Sequence, residues 1–383
     1  MREAGQIGRS PPGLLLGEMM DSNQMPNIWR SAARRKRLWR RLLVLVTLGL
    51  AQFAPGIAQA QSGIDATLPR AVILSYSRIG DEAGATGSSI SIENFEAHLA
   101  ELRSGEFTVL PVPEIIAALR ANRPLPDRTV GILFDEPHSS IYTIAWPRLQ
   151  AARLPATLFV ATDTVDRAGP DTLSWSEIRD MADEGLELGN QTASYPHMLG
   201  LERAYLLGQI ARATDRLRGE TGRKPRLFAY PYGEHDAAVR ALVAAEGYEA
   251  AFSQQSGVIH GRLDPYALPR FAMNDPFASV ERLRLAAQAL PLLVSDVTPT
   301  DMALDSAMPA IGFTLDPMMG SGAAANLACF VSGIGRADVQ ELGERRVEVR
   351  LREPLPSGRS RLNCTLAAGE GRWRWFGLQF VAP

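Results

Sequence analysis

Thr129-Val130-Gly131-Ile132-Leu133-Phe134-Asp135-Glu136 (129–136) runs six residues without a charge and then ends on two adjacent carboxylates. A short, mostly apolar run with no polar alternation reads as a strand buried on both faces. The two carboxylates then stand at its C-terminal end, where parallel α/β folds carry their working loops. The pattern repeats outward from there. Runs at 71–76, 107–112, 156–162, 186–190, 227–230 and 250–252 predict further strands. Between them, Ser91 offers an N-cap to a helix with Phe95, Leu99 and Leu102 on one face, and 113–121 opens on a proline. Helices are also expected up to residue 152, over 175–184, and over 201–218, where Leu206, Ile210, Ala213 and Leu217 fall in register. A last one runs over 236–246 and is ended by Gly247. The βα alternation predicts a mostly parallel sheet or barrel.

After residue 290 the pattern changes. Residues 291–309 are irregular and read as a linker or a first strand. Runs at 310–315, 327–331, 346–351, 361–367 and 373–381 are strand-like and separated by Gly-, Pro- and Ser-rich turns. That spacing predicts a small, immunoglobulin-like β-sandwich over 291–383 behind an α/β domain over 61–290. Trp373 and Trp375 alternate on one strand and so share a face, either as sandwich core or as a platform for sugar stacking.

Residues 1–60 have another character. A basic run from Arg30 to Arg41 precedes the apolar stretch 42–54, and Ala58-Gln59-Ala60 follows with small residues at alternate positions. This reads as a secretory signal peptide cleaved after Ala60, with residues 1–24 an upstream extension before Met25. About thirteen apolar residues are too few to span a ~30 Å hydrocarbon core, so no stable membrane anchor is expected. The protein is therefore expected to be periplasmic or secreted. Nine basic and three acidic residues fall in 1–60, which leaves 31 basic against 39 acidic in the remainder. A net charge near −8 argues against nucleic acid as a partner. The two cysteines, Cys329 and Cys364, lie in the C-terminal part. In an oxidising compartment the simplest reading is a disulfide, here placed to staple two sheets; two buried thiols are the alternative.

Three segments fall at the ends of successive strands: 134–136, then 189–197 (GNQTASYPH), then 228–233 (FAYPYG). Together with Leu173-Ser174-Trp175, 157–160 and Leu268-Pro269-Arg270-Phe271, they resemble the nodulation-B homology region of polysaccharide deacetylases, carbohydrate esterase family four. The resemblance spans roughly residues 70–285. It implies a distorted (β/α) barrel that hydrolyses acetamide C–N bonds in N-acetylated amino-sugar polymers. It also implies a zinc-like divalent ion held by one carboxylate and two histidines four residues apart. The ion polarises the carbonyl and acidifies its bound water. On this mapping Asp135 is the base and Arg270 its orienting partner, while Tyr230, Pro231 and Tyr232 line the sugar groove. A backbone N–H of that segment would meet the oxyanion. Glu136, Gln191 and Tyr195 stand at the three metal positions. Ser77 stands where many relatives have histidine, and no histidine follows His260. An amide oxygen and a neutral phenol are weak ligands for zinc-like ions. Two readings follow: a hydrolase with an atypical or displaced metal, or a catalytically inactive relative that binds such glycans or supports a partner enzyme. His138, His197 and His235 lie near the motifs and with Glu136 form a candidate displaced set; three ordinary loop histidines is the plainer reading.

Overall fold

The computed structural model describes residues 68–80, 88–275 and 277–383, so the signal-peptide reading falls outside the described residues. Six strands set the frame: β1 (Arg70–Tyr76), β2 (Thr129–Asp135), β3 (Thr157–Val160), β4 (Glu187–Asn190), β5 (Leu227–Ala229) and β6 (Ala250–Phe252). They pair in parallel, in sequence order, with Leu74 opposite Ile132, Phe134 opposite Leu158 and Val160 opposite Asn190. Beyond β6 the chain returns across the open side. Leu268 bridges Phe252, and Phe271–Ala272 pairs in parallel with Leu74 and Ser75. The sheet therefore curls into a distorted barrel, and Arg270 sits on the segment that draws its two ends together.

The period of two sorts the core. Val72, Leu74, Tyr76, Val130, Ile132 and Phe134 face one way and pack with Phe95, Leu99 and Leu102 of helix α1 (Ile92–Leu102). Ala71, Ile73, Leu133 and Phe159 face the other way and pack with Ile115, Ile116 and Leu119 of helix α2 (Val112–Arg120). Both faces are covered, which is why these strands carry no polar alternation. The Ser91 side chain accepts from the Asn94 N–H and caps α1 as expected. Within 107–112 only Thr108–Val109 is strand, because Pro111 already caps α2 and Val112 is helical.

The C-terminal region forms two further sheets around a shared apolar cluster that includes Ile311, Phe313, Val347, Leu362 and Phe380. A strand at 294–298, within the stretch read as a linker or a first strand, and one at 338–342, which the sequence reading does not single out, sit in the four-stranded sheet. The longest pair joins β7 (Gly358–Ala367) to β8 (Trp373–Ala382) in antiparallel register. Cys329 and Cys364 are disulfide-linked, directly opposite one another on adjacent strands of one sheet. The expected staple between two sheets is therefore corrected to a cross-strand link. Trp375 also departs from expectation. It packs on Phe271 in the barrel cluster, under the guanidinium of Arg282, while Trp373 is exposed.

Candidate active site

The C-terminal ends of β1, β2 and β4 open into a cleft of about 620 Å³. Asp135, the last residue of β2, is held on its floor. Its Oδ1 accepts from Arg270 Nη1 at 2.7 Å and from Gln191 Nε2 at 2.9 Å. Arg270 is 1% exposed and also donates through Nε to the Ser253 carbonyl. The guanidinium is thus fixed by backbone on one side and fixes the carboxylate on the other. Both bonds to Asp135 end on Oδ1, so Oδ2 is left to whatever enters the cleft.

The three metal positions of the resemblance come together, but as a hydrogen-bonded cluster. Gln191 is fully buried and bridges: its Oε1 accepts from the Glu136 N–H at 3.1 Å while its Nε2 donates to Asp135. The Tyr195 hydroxyl lies against the Glu136 carboxylate and the backbone N–H of Tyr232, which belongs to the segment expected to meet the oxyanion. Burial, followed by repulsion from Asp135, raises the Glu136 carboxyl above its ordinary range, against the Tyr195 bond and the charge of Arg78. Burial and the neighbouring carboxylates push the Tyr195 phenol further still from ionisation. These residues do not fit a zinc-like ion. Both polar ends of Gln191 are engaged, Tyr195 is held neutral, and Glu136 is disfavoured as an anion. Among the described residues no group of three His, Cys, Asp or Glu side chains is arranged to hold a metal.

Four non-glycine residues around this cluster have left-handed backbone: Glu136 (φ 64°), Thr192 (φ 67°), Tyr195 (φ 60°) and Tyr232 (φ 57°). Each such conformation costs about 1 kcal/mol or more and persists only where neighbours over-determine it. Here side chains hold the turns: Asn190 Oδ1 accepts from the Thr192 N–H, and Thr192 Oγ1 from the Tyr195 N–H.

The groove residues separate. Tyr232 lines the cleft, but its ring stacks on His197 at 4.0 Å, meets Tyr195 edge-on and lies 5.0 Å from the Arg359 guanidinium. Tyr230 and Pro231 are corrected: both are buried outside the cleft lining, and the Tyr230 hydroxyl donates to the Tyr266 carbonyl. The displaced histidine set also does not assemble. His138 lies in the cleft with Nε2 4.0 Å from Glu136, and burial together with Arg78 lowers its pKa to about 4. His197 is bound instead to Glu234 at 2.8 Å. His235 is buried in a separate cavity beside Arg240, with its pKa lowered to about 3 by burial and then by that arginine. Arg78, Arg359 and Arg361 also line the cleft, and the sequence reading had not placed them there.

A curled parallel barrel with an Arg–Asp pair at the C-terminal ends of its strands defines a barrel protein with an enzyme-type cleft. Residues 122–251 match the family model for polysaccharide deacetylase, and that stretch is a polysaccharide deacetylase domain. The chain is 24% identical over 199 residues to a poly-beta-1,6-N-acetyl-D-glucosamine N-deacetylase of Staphylococcus aureus, covering 49% of this chain and 68% of that one. It is 24% identical over 249 residues to the protein of the same name from Escherichia coli, covering 54% of this chain but only 37% of that one. In fold it is similar to a Streptococcus pyogenes deacetylase solved with acetate. That match has a TM-score of 0.54 and 19% identity, over 58% of this chain and 99% of the other. IcaB from Ammonifex degensii matches with a TM-score of 0.52 and 24% identity, over 57% of this chain and 97% of the other.

Proposed function

We propose that the cleft takes N-acetylated amino-sugar polymers of the poly-N-acetylglucosamine type, and that the exported protein acts on them as a deacetylase-family hydrolase. The observation that carries this is the Asp135–Arg270 pair. A carboxylate anchored through Oδ1 and open at Oδ2, at the floor of a cleft, is placed to take a proton from a water attacking an acetamide. Arg270 orients that carboxylate, and Tyr232 and Tyr195 form the wall against which a pyranose ring packs. No step is assigned to a metal, because the residues at its positions satisfy one another.

That same cluster favours a second reading, a glycan-binding relative without turnover. Gln191 and Tyr195 stand at two metal-ligand positions, and Gln191 is held there by hydrogen bonds to Glu136 and Asp135. The experiment pairs calorimetry with a deacetylation assay on poly-β-1,6-N-acetylglucosamine and chitooligosaccharides. Tyr232→Ala should weaken binding by roughly tenfold, about 1.4 kcal/mol. In a hydrolase, Asp135→Asn should abolish turnover and leave affinity within about threefold. A wild type that binds with no turnover selects the second reading, and a wild type that binds neither polymer rejects both.

A further inference from the structure

Two arginines reach the cleft from outside the barrel. In β7, alternate residues face opposite ways. Leu362, Cys364 and Leu366 point into the β-module's core, and Arg359 and Arg361 project on the other face, into the cleft. With Arg78 and Arg270 they make four guanidinium groups against two carboxylates, Asp135 and Glu136, among the lining residues. Asp135 is matched to Arg270 at 2.7 Å, and Arg359 has Glu234 at 3.9 Å. Arg361 is half-buried and, among the described residues, has no carboxylate within ion-pair distance. Its side-chain contact is a 3.3 Å bond to the Gln254 amide. Burial, then Arg359 and Arg270, lower its pKa, which shows a guanidinium held beside like charges. Two buried polar atoms of the lining also have no hydrogen-bond partner among the described residues. They are Arg270 Nη2, on a side chain 1% exposed, and Ser77 Oγ. Desolvated donors with no partner among the described residues, beside a cation with no carboxylate among them, define a site for an oxyanion, which guanidinium groups bind through paired, charge-assisted hydrogen bonds.

We infer that Arg361 and Arg270 Nη2 form a carboxylate-binding subsite in the cleft, and that the polymer taken there carries carboxylate groups on its amino sugars. The inference rests on the glycan reading above and narrows it from neutral chains to acidic ones. A planar carboxylate on one ring would sit between Arg361 and Arg270. The neighbouring N-acetyl ring would then lie over Asp135. The β-module thereby becomes part of the binding site, with Arg361 as its specificity-determining residue.

The test is calorimetry at low salt with two probes. One is a neutral N-acetylglucosamine tetramer, and the other is a tetramer in which alternate rings carry a carboxylate ether. The acidic tetramer should bind roughly tenfold tighter, and the ratio should fall as salt is raised through the range that screens exposed charges. Arg361→Gln should bring the ratio close to one, while Arg361→Lys should retain part of it. Thermal melts of both variants confirm folding, and the salt dependence of the wild type stands as an independent measure if either variant is unfolded. Competition with sodium acetate separates the sources of carboxylate. Displacement of the acidic tetramer only at far higher acetate concentration supports a polymer-borne group, and equal potency overturns that assignment. Equal wild-type affinity for the two tetramers overturns the inference and leaves the glycan reading standing. Failure of both tetramers to bind overturns the two together.

Discussion

Gln191 and Tyr195 fill with hydrogen bonds the space that two imidazoles and a cation occupy in the family's usual site. The amide ties the backbone of Glu136 to the side chain of Asp135, and the phenol caps Glu136. Purified wild-type protein should accordingly carry well under one equivalent of zinc after dialysis. The combined Glu136→Asp, Gln191→His and Tyr195→His variant should carry about one, read by elemental analysis. One tightly held equivalent in the wild type would refute this account of the cluster. Glu136 also makes stability depend on pH. Its carboxyl is raised in the folded state, so the unfolded chain releases that proton at lower pH. The penalty is absent below the unfolded value and reaches its full size above the folded one. Glu136→Gln, which keeps the shape and removes the charge, should raise Tm at pH 7 and leave it almost unchanged near pH 3. An equal effect at both pH values would show that the charge is not the cause.

At the scale of elements, the turn after β5 shows how backbone requirements position a side chain. Tyr232 adopts left-handed backbone, and Gly233 follows at φ 73° with the Gln254 backbone nitrogen 2.5 Å from where a Cβ would stand. Gly233→Ala therefore meets both a strained φ and a backbone clash. It should destabilise the protein by about 2 kcal/mol or more in urea unfolding, and should weaken glycan binding because Tyr232 moves. A neutral Gly233→Ala would mean that the turn relaxes freely. Much of this frame was legible in the sequence. Uncharged runs ending at Tyr76 and Phe134 predict β1 and β2, and the ordered motifs put Asp135, Glu136, Gln191, Tyr195 and Tyr232 at one end of the strands. What could not be read was which way adjacent residues face. Tyr230 and Tyr232 stand two apart, yet the 3-10 turn at 231–233 sends one ring into the core and the other to the cleft wall. The three histidines near the motifs fail for the same reason, since loop paths rather than sequence distance decide where His235 and His197 end. Arg359 and Arg361 share a face by strand alternation alone, but nothing local says that this face meets a barrel.

Over the whole molecule, the β-module and the barrel pack within one compact unit, and their seam holds the cleft in shape. Gln379 Nε2 donates to the Tyr232 carbonyl at 3.0 Å, and Arg359 Nη1 reaches the same oxygen at 3.4 Å. Strand β8 therefore pins the strained turn that presents the Tyr232 ring. The Cys329–Cys364 link lies farther off, within the module, and closes a separation of 35 residues. Converting both to alanine should cost about 3–4 kcal/mol in the chain-entropy estimate, with the loss read as a lower urea midpoint. Trp375 tests the seam more directly. It is 9% exposed and packs against Phe271, one residue from Arg270, with Arg282 4.8 Å from its ring. Trp375→Ala removes the aromatic contact between β8 and the segment that draws the barrel together, and such truncations cost about 3–5 kcal/mol when the cavity cannot collapse. Because Phe271 and Arg270 are consecutive, the loosened segment should also release the grip on Asp135. The variant should then show a lower unfolding midpoint together with weaker oligosaccharide binding at temperatures well below its melt. Trp375→Phe, which keeps an aromatic in the seam, should recover most of both. A Trp375→Ala protein that is destabilised but binds with wild-type affinity would show that the module supports the barrel's stability without shaping its cleft.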